Sequence, residues 1–443
     1  MYIGLSEQKK IPFSNRKGIF FFYKTMKKTV LIAILLAAFL PLFSQTPAEN
    51  ASKYKKFRQR LVQEMMYSTG DAMVKGSHLP MERRYLYKGE RVGQWADAVW
   101  WQGHYLAVLA TEYALQRRDG ESTAATFKEL RLALDVYRRL DLSAERCFGD
   151  TSQQTPNGFY IRDDVSLTEA PSLKLQRVYS DYTYYCGQTD ARRNAPSQDQ
   201  AWASYLGFAL IQKLVDDTLL HREVADLTER MVRGMQWTDA NGRVHWQIMN
   251  PVTGAVVQKE GDIQWLQYAH GEIGTRLSGK YLHAGRSDKP QWRNTWNLLE
   301  QNVLIDRDGH FTWYGVLALA AVLNDGAGQQ DCYPWLVQTC DKVVRRRPDL
   351  QQSLIFPHLP LINLVLHGTE GRELLPKELY EAYLNAAPAS GCITSEVNGE
   401  VVRTAAPWHS LSLFCPWHID KTGDANMLDY MLLYNLYRLV YGE

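Results

Sequence analysis

The stretch WADAVWWQGHYLAVLATEYAL, residues 95–115, decides the fold. It is apolar or aromatic on every side of a helical wheel, and a helix without a polar face has to be enclosed by other elements. The next periodic segment, FKELRLALDVYRRL (127–140), has the opposite character. Its apolar residues recur at i, i+3, i+4 and i+7, with charge on the remaining face. The contrast returns downstream. WASYLGFALI (202–211), WYGVLALAAVL (313–323) and LIFPHLPLINLVL (354–366) belong to the enclosed type, and HREVADLTERMVRGM (221–235) to the outer type.

The periodicity predicts twelve helices, near 52–67, 94–117, 122–140, 198–215, 219–236, 262–278, 289–304, 312–324, 332–346, 352–367, 373–386 and 425–441. Strand-like alternation is confined to short pieces such as 244–248 and 396–402. Outer and inner helices in alternation make six hairpins. The economical closed arrangement of six hairpins is an all-α (α/α)6 toroid, with an open solenoid of helical pairs as the alternative. Connections from an outer helix to the next inner one are long (141–197, 237–261 and 387–424), while those of the opposite sense are short. Long loops in a compact domain usually carry function, and these gather over the starts of the inner helices.

Composition narrows the classes further. The 443 residues are 45% hydrophobic and 12% aromatic, with 13 Trp and 25 Tyr. A chain this rich in apolar residues can offset its ordering entropy, which excludes disorder. Lys and Arg number 50 against 48 Asp and Glu, without a long basic block. That argues against nucleic acid as a partner. Residues 26–44, MKKTVLIAILLAAFLPLFS, read as a signal peptide: two lysines, a short apolar run and a small residue at the cut. Residues 1–25 then lie upstream of the natural start at Met26. Cleavage leaves a domain at 45–443 with 43 basic and 47 acidic residues, exported to the periplasm or beyond, with no stable membrane span. Nothing in the sequence sets its oligomeric state. Export permits disulfides. Cys147–Cys186 and Cys392–Cys415 could staple loops, and buried free thiols are the plainer expectation. No nucleotide, metal or cofactor motif occurs. His358 and His367, on an apolar helix, are expected to be core histidines with satisfied nitrogens.

The inner helices begin alike. Asp97-x-x-Trp100, Asp199-x-x-Trp202 and Asp262-x-x-Trp265 place an acid and an indole on one helix face. His310-x-x-Trp313 opens the fourth. His104 and His270 follow about two turns below their Asp. Such an Asp also suits a helix N-cap, and Ser197-x-x-Gln200 reads as a capping box. The longest loop carries Arg162, Asp163 and Asp164; in an extended segment the two acids face opposite ways. The last long loop offers Trp408 and His409, which would line a cleft or pack a lid.

Helix alternation, Trp-rich inner-helix starts and loops gathered at one end together resemble the six-hairpin glycosidase superfamily, over about 90–443. The resemblance implies a cleft for an oligo- or polysaccharide, carboxylates acting as general acid and base, and indoles stacking on sugar rings. On that implication Asp164 and Asp199 form the catalytic pair, with Asp97 and Asp262 in reserve. Trp100, Trp101, Trp202, Trp265 and Trp313 form the platform. Arg162 and His104 hold a substrate carboxylate, as an uronic acid would need, with Asp163, His270, Trp408 and His409 also lining the site. A lyase using Tyr184, Tyr185 or His409 as base, a sugar epimerase with paired histidines, and a glycan binder without catalysis are the alternatives.

Overall fold

Among the described residues the helical periodicities become helices. The computed structural model describes residues 47–148, 155–168, 171–186, 195–250, 253–258, 264–283, 319–323, 332–334, 336–338, 358–391, 393–397, 400–404 and 423–442. Within these, α1 (Pro47–Glu64) leads into the unit Glu49–Glu443. A hairpin of β1 (Arg83–Tyr87) and β2 (Glu90–Gln94) follows, then α2 (Ala98–Arg118) and α3 (Ala124–Cys147). The long connection after α3 contains β3 (Arg177–Tyr179) and the short α4 (Asp181–Tyr185) before α5 (Gln198–Leu214) and α6 (Thr218–Gly234). Two small hairpins, β4 (Gln236–Thr238) with β5 (Val244–Trp246) and β6 (Ile248–Met249) with β7 (Val256–Gln258), separate α6 from α7 (Gln264–Ser278). The described C-terminal elements are α8 (His358–His367), α9 (Lys377–Ala386), the hairpin β8 (Ile393–Val397) and β9 (Glu400–Thr404), β10 (Gly423–Ala425) and α10 (Leu428–Tyr441).

The two helix types separate as their sequences require. In α2 every residue from Ala98 to Thr111 is buried, whereas α6 buries Leu220, Val224, Leu227 and Met231 along one stripe. The enclosed helices are neighbours in the order α8, α10, α2, α5, α7, so the last helix of the chain packs against the first enclosed one. The amphipathic α3, α6 and α9 pack on α2, on α5 and α7, and on α10 respectively. The seam between α2 and α5 is the closest. A Cβ on Gly103 would lie 2.1 Å from the Ala203 carbonyl oxygen, and one on Gly207 2.6 Å from the Gly103 oxygen. Glycine is required at both positions because backbone meets backbone there. α1 closes on the other end of the chain, with Lys53 Nζ donating to the Leu384 and Ala387 carbonyls and Arg60 to those of Ser390 and Ala425.

Three features depart from expectation. α3 runs to Cys147 instead of ending near 140, because its last turns bury Asp141 and Glu145 with partners. Asp141 accepts from the backbone N–H groups of Asn157 and Gly158, and lies 3.0 Å from Arg230. A four-stranded sheet, ordered β10-β1-β2-β3, stands where loop was expected, antiparallel except for the β2–β3 pair. Cys147 and Cys186 are joined as a disulfide, Cα atoms 4.9 Å apart, in place of two free thiols; Cys332 is free and buried. His358 is a core histidine, its Nε2 on the Asp429 carbonyl oxygen; His367 also sets Nε2 on a carbonyl oxygen, that of Val322, but it is exposed at the end of α8, against the expected core position. No described helix is long and apolar enough to cross a membrane. The 1–25 and 26–44 segments, the expected helices at 289–304, 312–324 and 332–346, and Cys392–Cys415 lie wholly or partly outside the described residues.

Candidate functional site

The start of α2 is anchored by its neighbours. Trp95 donates its backbone N–H to the Tyr179 carbonyl and its indole N–H to that of Leu79. Asp97 occupies the N-cap position, yet its side chain makes no capping hydrogen bond. Its carboxylate, about half exposed, lies 3.6 Å from Arg162 Nη1 and accepts from Gln200 Nε2 at 3.2 Å. Those partners come from the long connection and from the first turn of α5. The capping box expected at Ser197 and Gln200 is therefore absent: the Ser197 side chain makes no cap bond, and Gln200 turns to Asp97.

Arg162 gathers the site. Its Nη1 lies 3.7 Å from Asp181 as well, and its Nε donates to the Ala195 carbonyl at 2.8 Å. Because Asp97 and Asp181 oxygens share one guanidinium nitrogen at 3.6 and 3.7 Å, those two oxygens are no more than about 7 Å apart. Asp181 opens α4, whose N-cap Ser180 accepts from the Thr183 N–H. Asp163 holds this turn in place: one carboxylate oxygen accepts from the Asp181 N–H at 2.7 Å and the other from the Val165 N–H at 3.2 Å. Asp163 is fully buried, and burial first, then the nearby Asp181 carboxylate, pushes its pKa up to about 8. Its oxygens serve backbone N–H groups of its own chain.

Asp164 faces the opposite way, as an extended segment requires, but into the core. It is 1% exposed and takes a two-pronged ion pair from Arg139, at 2.7 and 3.2 Å, plus the Gly76 N–H. Arg139 also donates to the carbonyls of Ala72 and Ser77. Both oxygens of Asp164 are thus taken up inside the core, by Arg139 and the Gly76 N–H, in an ion pair the fold itself uses. Arg162 likewise faces two carboxylates of its own chain, Asp97 and Asp181.

Below Asp97 the aromatic residues form a wall. Trp100 and Trp202 pack across the α2–α5 seam with ring centroids 4.8 Å apart, and His104 lies 5.3 and 5.4 Å from the rings of Trp100 and Trp101. His104 Nδ1 is on the Trp100 carbonyl at 3.0 Å. Trp202 is wholly buried, so it cannot present an open stacking face; Trp100 keeps 7% and Trp101 3% exposure. The indole N–H of Trp202 finds no hydrogen-bond partner among the described residues. His270 sits deeper, 3.3 Å from the Tyr205 hydroxyl, and burial lowers its pKa to about 3, so it is neutral.

The structure thus brings together Asp97, Trp100, Trp101, His104, Arg162 and Trp202. It adds Asp181 and Gln200, which sequence reasoning missed or cast as a cap. Ser180-Asp181 before a run of tyrosines is an N-cap signal that could have found the short α4. Asp199 and Trp265 lie in α5 and α7 by their backbone; their side chains, and Asp262, Trp313, Trp408 and His409, are outside what is described. No group of three or more metal-ligating side chains occurs among the described residues. No protein-family model, curated protein or solved structure matches this chain.

Proposed function

We propose that residues 45–443 form an (α/α)6 toroid that hydrolyses a glycan, with Asp97 and Asp181 as the working carboxylates. One observation carries the reading: Arg162 draws two sequence-distant acids to within about 7 Å of each other at the aromatic start of an enclosed helix. Glycoside hydrolysis needs two carboxyl groups roughly 5–9.5 Å apart, one to protonate the leaving oxygen and one opposite to act on carbon or water. Asp97 is the more open of the two and is assigned to the leaving-group oxygen. Trp100, which keeps 7% exposure, is the indole that edges the site. The neighbour order α8-α10-α2-α5-α7 with amphipathic helices outside supports the toroid, and the Cys147–Cys186 bond agrees with an exported protein.

Reducing-end release from soluble polysaccharides tests the proposal. Asp97→Asn is expected to lower turnover roughly 10²–10⁴-fold while leaving the melting temperature near that of the wild type. Full activity in that variant removes Asp97 from the chemistry. Products that absorb in the ultraviolet through a new double bond make the enzyme a lyase instead.

A further inference from the structure

The four-stranded sheet carries a second set of residues outside the carboxylate site. Partners in register share a face. Tyr85 opposes Val92, which opposes Arg177; Tyr87 opposes Glu90; and Gln94 links Arg83 to Tyr179. Tyr85, Tyr87, Arg177 and Tyr179 therefore stand on one side of the sheet, with Leu86 on the other. Tyr87 is 39% exposed, and its ring is flanked by Lys88 Nζ at 5.4 Å and the Arg177 guanidinium at 5.6 Å. Arg177 also donates to the Tyr184 hydroxyl at 3.1 Å, and Tyr184 is 36% exposed with its ring 5.5 Å from Tyr179.

The same face carries a buried cation at the start of β1. Arg83 is 2% exposed, its guanidinium 5.7 Å from the Tyr85 ring, with Glu82 no closer than 3.9 Å. Its Nη1 has no hydrogen-bond partner among the described residues. Residues 82–94 and 171–179 hold six basic side chains and two acidic ones, in a chain whose 45–443 portion is net acidic. Glu90 is the carboxylate that shares the face.

We propose that this face is a binding platform for an acidic polysaccharide, one bearing carboxylate or sulfate groups. The inference rests on the glycan reading above and names its substrate class. Tyr87 and Tyr184, the exposed rings of the face, give flat apolar surface for sugar rings with a polar edge for their hydroxyls, and buried Tyr85 backs them. Arg177 offers planar paired donors that match a carboxylate or sulfate. The platform is continuous with the carboxylate site: Tyr179 holds Trp95, two residues before Asp97, and Asp181 follows two residues after Tyr179. Arg162 is committed to Asp97 and Asp181, so the recognition of substrate charge falls to Arg177 and Lys88.

Affinity electrophoresis in gels containing polygalacturonate or a neutral mannan tests the platform, with the double variant Tyr87→Ala, Arg177→Ala and the single variant Lys88→Glu. Both positions are exposed, and circular dichroism checks the fold; if the double variant misfolds, Lys88→Glu carries the test. The expected result is retardation of the wild type by polygalacturonate alone, weakened by salt. The variants should bind roughly tenfold or more weakly, and Asp97→Asn should bind as the wild type does. Variants retarded as strongly as the wild type, or a wild type that polygalacturonate does not retard, overturn the platform. So does preferential sedimentation with phosphatidylglycerol vesicles, which would make the occupant a membrane. Binding without any release of reducing ends leaves the platform standing and removes the hydrolase; hydrolysis indifferent to the face variants does the reverse.

Discussion

Adjacent acids of the same type end in opposite circumstances here. Asp164 is paired with Arg139 in the core, where removing one partner of a buried pair costs about 3–5 kcal/mol because the other charge is stranded. Asp163, one residue away, has backbone donors but no cation, and its pKa rises from 3.8 to about 8. The consequence for stability has a definite sign. Between pH 4 and pH 8 the folded protein holds a proton on Asp163 that the unfolded chain has released, so this residue makes stability fall as pH rises through that window. Replacing it with Asn removes the proton exchange but turns an amide towards a backbone N–H. Thermal melts of Asp163→Asn should therefore start lower at pH 4 and decline less steeply to pH 8 than those of the wild type. An unchanged slope would contradict the raised value. Asp97 shows the complementary case. An acid at an N-cap position is expected to cap, but a guanidinium and an amide from other elements compete for the same oxygens and win.

Among the elements, the α2–α5 seam positions the site, because Asp97 and Trp100 come from one helix and Gln200 and Trp202 from the other. Glycines at 103 and 207 set how closely the two approach. Gly103→Ala has to push the helices apart, since the new carbon would overlap the Ala203 carbonyl. A loss of about 1–3 kcal/mol is expected from overpacking of this kind. Gly70→Ala, with nothing within 4 Å of the added carbon, serves as a neutral control in the same urea titrations. The β1–β2 hairpin escaped the periodicity for a local reason. In RRYLYKGERVG (83–93) the turn residues Lys88 and Gly89 adopt φ values of 51° and 83°, as a primed hairpin turn demands. Lysine is not a residue that advertises that turn, and charges on both faces blur the alternation. The enclosed and amphipathic helices were legible because their periodicity repeats over several turns.

For the molecule as a whole, the organising problem is the long connection after α3, which supplies Arg162, Asp163, Asp181 and the third strand. The part of it that carries these residues is closed by the Cys147–Cys186 bond, 39 residues apart in sequence. Closing a loop of that length restricts the unfolded chain and is worth roughly 3–4 kcal/mol. Reduction, or Cys147→Ala with Cys186→Ala, should lower unfolding free energy by that amount in denaturant titrations; equal midpoints with and without reductant would show that the bond does not stabilise the fold.

Helix type and the separation of enclosed from outer faces were determined by the sequence alone, because burial of an apolar surface is a property each segment carries by itself. The clustering of Asp, Trp and His near the start of α2 was also legible, through spacing on one helix. Which acids remain accessible was decided only by tertiary structure. Asp97, Asp163, Asp164 and Asp181 are chemically alike, and what distinguishes them is the partner that folding delivers: a shared arginine, backbone N–H groups, or a private counter-ion in the core. Apart from the Val165 N–H beside Asp163, such partners lie 18 to 103 residues away in the chain, Gln200 farthest of all, and no local pattern encodes contacts across that distance.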